Sequence, residues 1–120
     1  MKSFLFAEYR DPQSGKTPTD VLAGILNTLP RGDDGIQLVR MAAFRNHLAA
    51  EGQLIGECLA RMSSGEIRIW VYSRGRFHML YSFYKARNEV CLLKLVVGAL
   101  NREEECTDAK KRLKLFYSGH

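Results

Sequence analysis

The amino-acid sequence predicts an α+β fold in which one sheet packs on a helical hairpin and is followed by a C-terminal helix. Apolar side chains recur at helical spacing between residues 17 and 52, and residues 66–84 alternate with the period of two that is typical of strands. Residues 90–97 form a nearly continuous apolar run, as in a strand covered on both faces. The predicted order is β-α-α-β-β-β-α, with a four-stranded, largely antiparallel sheet in a single domain over residues 1–120.

The N-terminal half begins with a strand and a capped helix. Residues 3–9 are the predicted strand. Thr17, Pro18 and Asp20 form the pattern of a helix start with a capping box. The apolar residues that follow at helical spacing are Val21, Leu22, Ile25, Leu26 and Leu29.

A second helix is predicted between an N-cap at Asp33 or Asp34 and a terminating glycine at Gly52. Its buried stripe is Leu38, Met41, Phe44 and Leu48. Residues 53–64 are then a predicted connector, which leads into the strands of the second half.

The C-terminal half supplies three strands and a helix. Residues 66–72 and 76–84 are predicted to pair around the turn sequence SRGR, and residues 90–97 form the next strand. The last helix is predicted over residues 102–117, with acidic residues at its start and basic residues near its end, an order that suits the helix dipole. Its buried stripe is Cys106, Ala109, Leu113 and Phe116.

The net charge of +5 is distributed unevenly. Residues 1–60 hold six Lys and Arg against seven Asp and Glu, whereas residues 61–120 hold twelve against six. A basic excess confined to one half indicates a polyanionic or acidic partner, although a solvated basic surface would give the same composition.

Several classes of protein do not fit this sequence. The three cysteines are odd in number and lack C-x-x-C spacing, which argues against a disulfide framework or a zinc site and suits a reducing cytosol. No apolar run is long enough to span a membrane, and the N-terminus meets charged residues too early for a signal peptide. We therefore expect a cytoplasmic protein with no metal, no small-molecule cofactor and no membrane contact.

The predicted hairpin at residues 66–84 carries the main functional signal. We expect one face to turn toward the helices, with Ile67, Ile69, Val71, Phe77, Met79, Tyr81 and Phe83. Arg68, Arg76 and His78 would then lie together on the opposite face, roughly 5–8 Å apart. That face would also carry Trp70, Tyr72 and Tyr84. Because arginines bind phosphate through paired hydrogen bonds and aromatic rings stack on unpaired bases, this pattern predicts RNA binding.

Further residues are candidates for RNA contact. They are Arg61, Trp70, Arg74, Tyr84, Lys94 and Arg102. Structural interpretations stay open beside the functional one. Arg68 could pair with Glu66 or a helix carboxylate, Trp70 could simply cover the sheet, and His78 could be an ordinary strand histidine. Lys94 interrupts an apolar strand, so it either reaches the rim or lies beside a site that depresses its pKa.

The ordered set of motifs resembles the RelE/HigB superfamily of bacterial toxins, with the phage-derived HigB-like branch as the nearest part. The corresponding pieces are residues 15–18, 50–52, 59–68, 74–81, 92–93 and 109–112. The resemblance spans almost the whole chain and is best from 59 to 112.

The resemblance implies the toxin of a type II toxin–antitoxin pair. Such a toxin is a metal-independent endoribonuclease that cleaves mRNA on the ribosome through attack by the ribose 2′-hydroxyl. Its partners would be ribosome-bound mRNA and a cognate antitoxin, usually a helix-turn-helix protein. The matching positions would make Arg68 and Arg76 catalytic through the scissile phosphate, with His78 as a candidate proton carrier.

Two positions depart from the resembled pattern. Leu100 and Cys106 stand near the places where many RelE-type toxins have a basic residue and a tyrosine or histidine. Arg102 could replace the first, and His120 could reach back to the site. The alternative is a non-catalytic RNA-binding or protein-binding member of the same fold.

Overall fold

A computed structural model describes residues 3–118 and shows an α+β fold with three helices and a five-stranded mixed sheet. The strands are β1 (Leu5–Glu8), β2 (Glu57–Met62), β3 (Ile67–Arg74), β4 (Phe77–Tyr84) and β5 (Glu89–Val97). The helices are α1 (Pro18–Leu26), α2 (Gly32–Glu51) and α3 (Arg102–Ser118). The sheet order is β1-β5-β4-β3-β2, in which β1 pairs parallel with β5 and the other neighbours are antiparallel.

The expectation of four strands is wrong, because part of the predicted connector forms the edge strand β2. The element order is therefore β-α-α-β-β-β-β-α. A bulge between Cys58 and Ala60 interrupts the alternation of β2, and one edge of the strand has no partner within the described sheet. A short strand with a bulge loses the strict period of two that makes a strand visible in a sequence.

The helical hairpin follows its sequence signals with two exceptions. Thr17 and Asp20 form the predicted capping box of α1, and Gly52 ends α2 in the left-handed conformation. However, the N-cap of α2 is Arg31, so the predicted caps at 33 and 34 are wrong. Leu29 is also not part of α1, which ends at Leu26, and its side chain is 79% exposed.

Two apolar layers lie on opposite faces of the sheet. One packs under α1 and α2 and contains the predicted stripe of α2, namely Leu38, Met41, Phe44 and Leu48. The other packs under α3 around Ala109 and Leu113. We call these two sides the hairpin face and the α3 face of the sheet. Each core residue of a strand belongs to one of these two faces.

Candidate nucleic-acid interface

The pairing of β3 with β4 separates residues that were predicted to share a face. The strands pair from Ile67 opposite Tyr84 to Arg74 opposite Phe77, and directly opposite side chains lie on the same face. The two-residue connection therefore places even-numbered residues of β3 beside odd-numbered residues of β4. The prediction assumed that odd-numbered residues of both strands share a face, which is wrong. As a result, Arg68 lies on the hairpin face and His78 on the α3 face.

A different pair of basic residues is brought together instead. Arg61 of β2 lies directly opposite Arg68 of β3. Both side chains are exposed, and within residues 3–118 neither forms a hydrogen bond or an ion pair. Like charges at directly opposite positions of an antiparallel sheet destabilise it. The pair therefore raises the free energy of the fold unless an anion neutralises it.

Aromatic side chains border this pair on the hairpin face. Phe83 of β4 continues the cross-strand row of Arg61 and Arg68, and Trp70 lies two residues further along β3. Both rings are half-buried and pack against the core under the helical hairpin. The indole Nε1 of Trp70 has no hydrogen-bond partner among the described residues. We call Arg61, Arg68, Trp70 and Phe83 the arginine strip.

The position of Arg61 depends on how the chain enters β2. The hydroxyl of Tyr81 accepts a hydrogen bond from the backbone N–H of Ile55 at 2.8 Å and donates one to the carbonyl of the same residue. Gly56 follows with φ +115°, and a Cβ there would lie 2.1 Å from the carbonyl oxygen of Val71. The chain therefore crosses close to β3 before β2 begins. Burial raises the pKa of Tyr81, so the phenol stays protonated and able to donate.

His78 has both ring nitrogens engaged on the α3 face. Its Nε2 lies 2.8 Å from the carbonyl oxygen of Gly98, and its Nδ1 lies 2.7 Å from Oγ of Ser73. A carbonyl can only accept, so Nε2 carries a proton. In the neutral ring, Nδ1 then accepts a hydrogen bond from the Ser73 hydroxyl. This arrangement holds the end of β5 against the β3–β4 hairpin and places His78 away from the arginine strip.

Arg74 and Arg76 lie on the hairpin side but at the far end of β3 from Arg68. Arg74 donates from Nε to the side chain of Gln37 at 3.1 Å. Arg76 binds Asp34 of α2 through Nε at 3.1 Å and Nη2 at 3.0 Å. The six residue steps from Arg68 to Arg74 span about 20 Å of strand. The two arginines therefore anchor α2 and do not extend the arginine strip.

The other predicted RNA contacts lie elsewhere. Lys94 binds Glu105 and Asp108 of α3 at 2.8 and 3.2 Å. Burial lowers the pKa of Lys94, but the hydrogen bonds and charges of the two carboxylates outweigh this and raise it overall. Of the two alternatives for Lys94, reaching the rim or having a depressed pKa, the second is therefore wrong. Arg102 binds Glu57 at 2.6 Å, and this hydrogen bond lowers the pKa of the Glu57 carboxyl.

The remaining candidates belong to the packing of α3. Tyr84 packs edge-on against the ring of Tyr117, with ring centroids 5.1 Å apart. Leu100 packs against the core under α3, and Cys106 Sγ lies 3.9 Å from the carbonyl oxygen of Leu59. These three are on the α3 face or at its border, away from the arginine strip. His120 lies outside the described residues.

Comparisons of the chain with known families, proteins and structures found no match. No family model matches the chain. No curated protein and no solved structure matches it either. Within residues 3–118, no group of three or more His, Cys, Asp and Glu side chains could hold a metal ion. Over the same residues, no helix combines the length and apolar content needed to cross a membrane.

Arg61 was predicted to contact RNA, but its position beside Arg68 was not predicted, because β2 was taken for a connector. One signal could have found β2. The sequence SSG at residues 63–65 stands between two segments that contain apolar residues, which is typical of a short hairpin connection with a glycine. The structure has positive φ at Ser63 and Gly65 in this turn. Pairing β2 with β3 across it would have placed Arg61 beside Arg68.

Proposed function

We propose that the protein binds single-stranded RNA through the arginine strip, as the toxin of a type II toxin–antitoxin pair that acts on mRNA at the ribosome. The observation that carries the proposal is the exposed Arg61–Arg68 pair, which has no acidic partner within the described residues. Seven other basic side chains of the described chain form ion pairs: Arg10, Arg45, Arg76, Arg87, Lys94, Arg102 and Arg112. Two opposed guanidinium groups without such a partner suit a ligand that carries successive phosphates.

Phosphate is the anion that fits this pair. A guanidinium group presents a planar set of donors that matches two phosphate oxygens, and it keeps its charge at any physiological pH. Two successive phosphates of one strand, one at Arg61 and one at Arg68, would convert the mutual repulsion of the arginines into two charge-assisted contacts. The half-buried rings of Trp70 and Phe83 offer an apolar border against which a base can pack.

Cleavage of the bound RNA is the more specific form of the proposal. Attack by a 2′-hydroxyl on the adjacent phosphorus forms a cyclic phosphate and releases the 5′-oxygen, and negative charge grows on the phosphoryl oxygens. Arg61 and Arg68 could stabilise that charge. Neither can accept the proton of the 2′-hydroxyl, because arginine stays protonated. In this proposal the arginine pair binds the phosphate and stabilises its charge, solvent water takes the 2′-hydroxyl proton, and the released 5′-oxygen takes a proton from water.

The non-catalytic alternative is favoured by one observation. The three residues predicted to be catalytic do not meet: Arg68 is on the hairpin face, Arg76 is bound to Asp34, and His78 is on the α3 face with both nitrogens engaged. A protein with this arrangement can hold RNA without cutting it. The two forms of the proposal differ in the fate of the RNA and share the same binding surface.

Binding to a short fluorescent single-stranded RNA tests the proposal. We expect affinity to fall steeply with salt, because phosphate contacts release counterions. The Arg61→Ala/Arg68→Ala variant should lower the slope of log affinity against log salt by roughly 1.4, since about 0.7 is lost for each phosphate contact on a single strand. Fluorescence anisotropy between about 50 and 200 mM salt measures this slope.

The matched control is Lys111→Ala/Lys114→Ala, which removes the same charge from exposed positions of α3. It should leave the slope unchanged. An equal loss of slope in both variants would show that only net charge matters and would contradict the proposed site. Induced expression in a bacterium then separates the two forms, because growth arrest with cleaved mRNA requires catalysis, and the Arg61→Ala/Arg68→Ala variant should not arrest growth.

A further inference from the structure

Exposed apolar side chains gather on the outer side of α2. Ile36 and Val39 are 54% and 63% exposed, and Leu29 just before the helix is 79% exposed. Ile36 and Val39 lie on the opposite side of α2 from its buried stripe, because the helix has 3.6 residues per turn. A cleft of about 500 Å³ lies here, lined by Pro30, Gly32, Gly35, Ile36, Val39 and Arg40. Contiguous exposed apolar surface of this kind marks an interaction site.

A second groove continues this surface between α2 and β3. It has a volume of about 520 Å³ and is lined by Arg40, Ala43, Phe44, His47, Ile55, Tyr72 and Arg74. The rings of Phe44 and Tyr72 stack with centroids 3.9 Å apart and planes 6° apart, which gives the groove a flat apolar wall. Arg40 borders both cavities, so they form one surface along the outer side of α2.

The charged residues that line the two cavities, Arg40 and Arg74, are positive. Arg31 and Arg40 form no ion pair within residues 3–118, and Arg74 hydrogen-bonds only the neutral side chain of Gln37. Of the two acidic residues at the start of the helix, Asp34 binds Arg76, whereas Asp33 accepts a hydrogen bond from the neutral side chain of Gln37 and lines neither cavity. An incoming chain would therefore meet apolar side chains flanked by guanidinium groups.

We propose that this surface binds an acidic amphipathic helix of a protein partner. Ile36 and Val39 would pack against its apolar side, and Arg40 and Arg74 would pair with its carboxylates. The outer side of α2 from residue 30 to 47 is about 25 Å long, which fits a helix of four to five turns. The proposal stands on this surface alone and does not depend on RNA binding, since the arginine strip lies at the other end of β3.

Charge decides between this partner and two others. A second copy of the chain would bring the same arginines against each other, which costs free energy at an interface. RNA would find cations and the rings of Phe44 and Tyr72 here but would leave the exposed aliphatic side chains of Ile36 and Val39 unburied. Only an acidic partner with an apolar side complements both the exposed aliphatic residues and the unpaired arginines.

A pair of synthetic peptides tests the proposal. The first is a helix of about 18 residues with leucines at i, i+3, i+4 and i+7 and glutamates elsewhere, and the second has lysines in place of the glutamates. We expect the acidic peptide alone to bind isotope-labelled protein. The amide shifts it causes should map to residues 29–47 and 72–74. Val39→Glu and Arg40→Glu should each weaken binding roughly tenfold.

The control variant is Leu115→Glu, which changes an equally exposed apolar residue on α3 and should bind normally. Equal binding of the basic peptide would overturn the proposal, because it would show unspecific apolar contact. Shifts confined to α3 or β2, or no binding of either peptide, would also overturn it. So would a protein dimer in sedimentation that Val39→Glu dissociates, since a second copy would then occupy the surface.

Discussion

On the α3 face of the sheet, Lys94 and Arg112 are held by carboxylates. On the hairpin face, Arg61 and Arg68 lie opposite each other with no carboxylate partner within residues 3–118. Asp108 joins the two α3-face cations, at 3.2 Å from Lys94 and 2.8 Å from Arg112. Lys94 and Arg112 are thus compensated by carboxylates within the described residues, whereas the Arg61–Arg68 pair at the other face is not.

This difference separates cations that stabilise the fold from cations that are available to a ligand. The carboxylates around Lys94 and Arg112 tie α3 to β5, because Arg112 also donates to the carbonyl of Leu93 at 3.1 Å. Such groups are satisfied within the chain and have little left to offer RNA. The guanidinium groups of Arg61 and Arg68 have no acceptor among the described residues, which is the state that a phosphate-binding pair needs.

Removing the Tyr81 hydroxyl, which positions β2, should have the largest effect on the hairpin face of the sheet. Tyr81→Phe leaves the backbone N–H and carbonyl of Ile55 without their partner, and an unsatisfied buried group costs about 1–3 kcal/mol. The free energy of unfolding should fall by about that amount in urea denaturation. Because β2 carries Arg61, RNA affinity should fall as well, although no arginine has changed.

Tyr84→Phe is the matched control for this prediction. The ring of Tyr84 packs on Tyr117, and its hydroxyl forms no hydrogen bond within the described residues. It should leave RNA affinity unchanged and stability within about 0.5 kcal/mol. A Tyr81→Phe protein with full stability and full affinity would show that the contact with Ile55 does not position β2.

The carboxylate of Asp108 gives the α3 face a pH dependence of its own. Burial raises the pKa of Asp108, but the hydrogen bonds and charges of Arg112 and Lys94 outweigh burial and lower it below the usual value of 3.8. A carboxyl whose pKa is lower in the folded state contributes stability above its unfolded pKa, and this is lost as pH falls through the folded value. Asp108→Asn should therefore destabilise the protein at pH 7 by about 1 kcal/mol.

The difference between wild type and Asp108→Asn should shrink as pH falls from about 5 to 2, because wild type loses the charge that the variant never had. Urea denaturation at several pH values measures it. Glu104→Gln serves as the control, since Glu104 is exposed on the same helix and forms no ion pair within residues 3–118. A constant difference between wild type and Asp108→Asn across this range would contradict the assigned role.

The sequence predicted the elements whose signals are local. The capping box at Thr17, the glycine after α2 and the apolar stripe of α2 all depend on residues within a few turns, and the structure confirms them. The strand β2 was not predicted, because its bulge breaks the alternation of apolar and polar residues and only one of its edges is paired. The residues of the edge strand β2 are also less buried than those of the central strand β4, so they show a weaker apolar pattern.

Several residues of the candidate site were predicted correctly, but which of them lie together on one face of the sheet was not. Arg61, Arg68 and Trp70 were all named as RNA contacts or catalytic residues, and the structure places them together on the hairpin face. His78 was assigned to the same face because the predicted register between β3 and β4 was wrong by one residue. A shift of one residue moves a side chain to the other side of the sheet. Register depends on turn length, which the sequence RGR does not fix by itself.

The smallest expected effect is that of a substitution at Arg68. It tests directly whether this residue serves stability or binding. Arg68→Glu replaces a repulsive cross-strand pair by an attractive one, so the free energy of unfolding should rise by about 0.2–1 kcal/mol. RNA affinity should fall at the same time, because the new carboxylate repels phosphate and occupies Arg61. A substitution that stabilises the fold while it weakens binding is the behaviour expected of a residue placed for a ligand.

A double-mutant cycle makes this prediction specific to the pair. Arg61→Glu should stabilise the protein as Arg68→Glu does, but Arg61→Glu/Arg68→Glu restores two like charges and should lose the gain of both. RNA affinity should be low in all three variants, since none keeps two opposed arginines. If the two single substitutions added in the double variant, Arg61 and Arg68 would not interact. The absence of an acidic partner would then carry no functional meaning, because the repulsion that a bound phosphate is proposed to relieve would not exist.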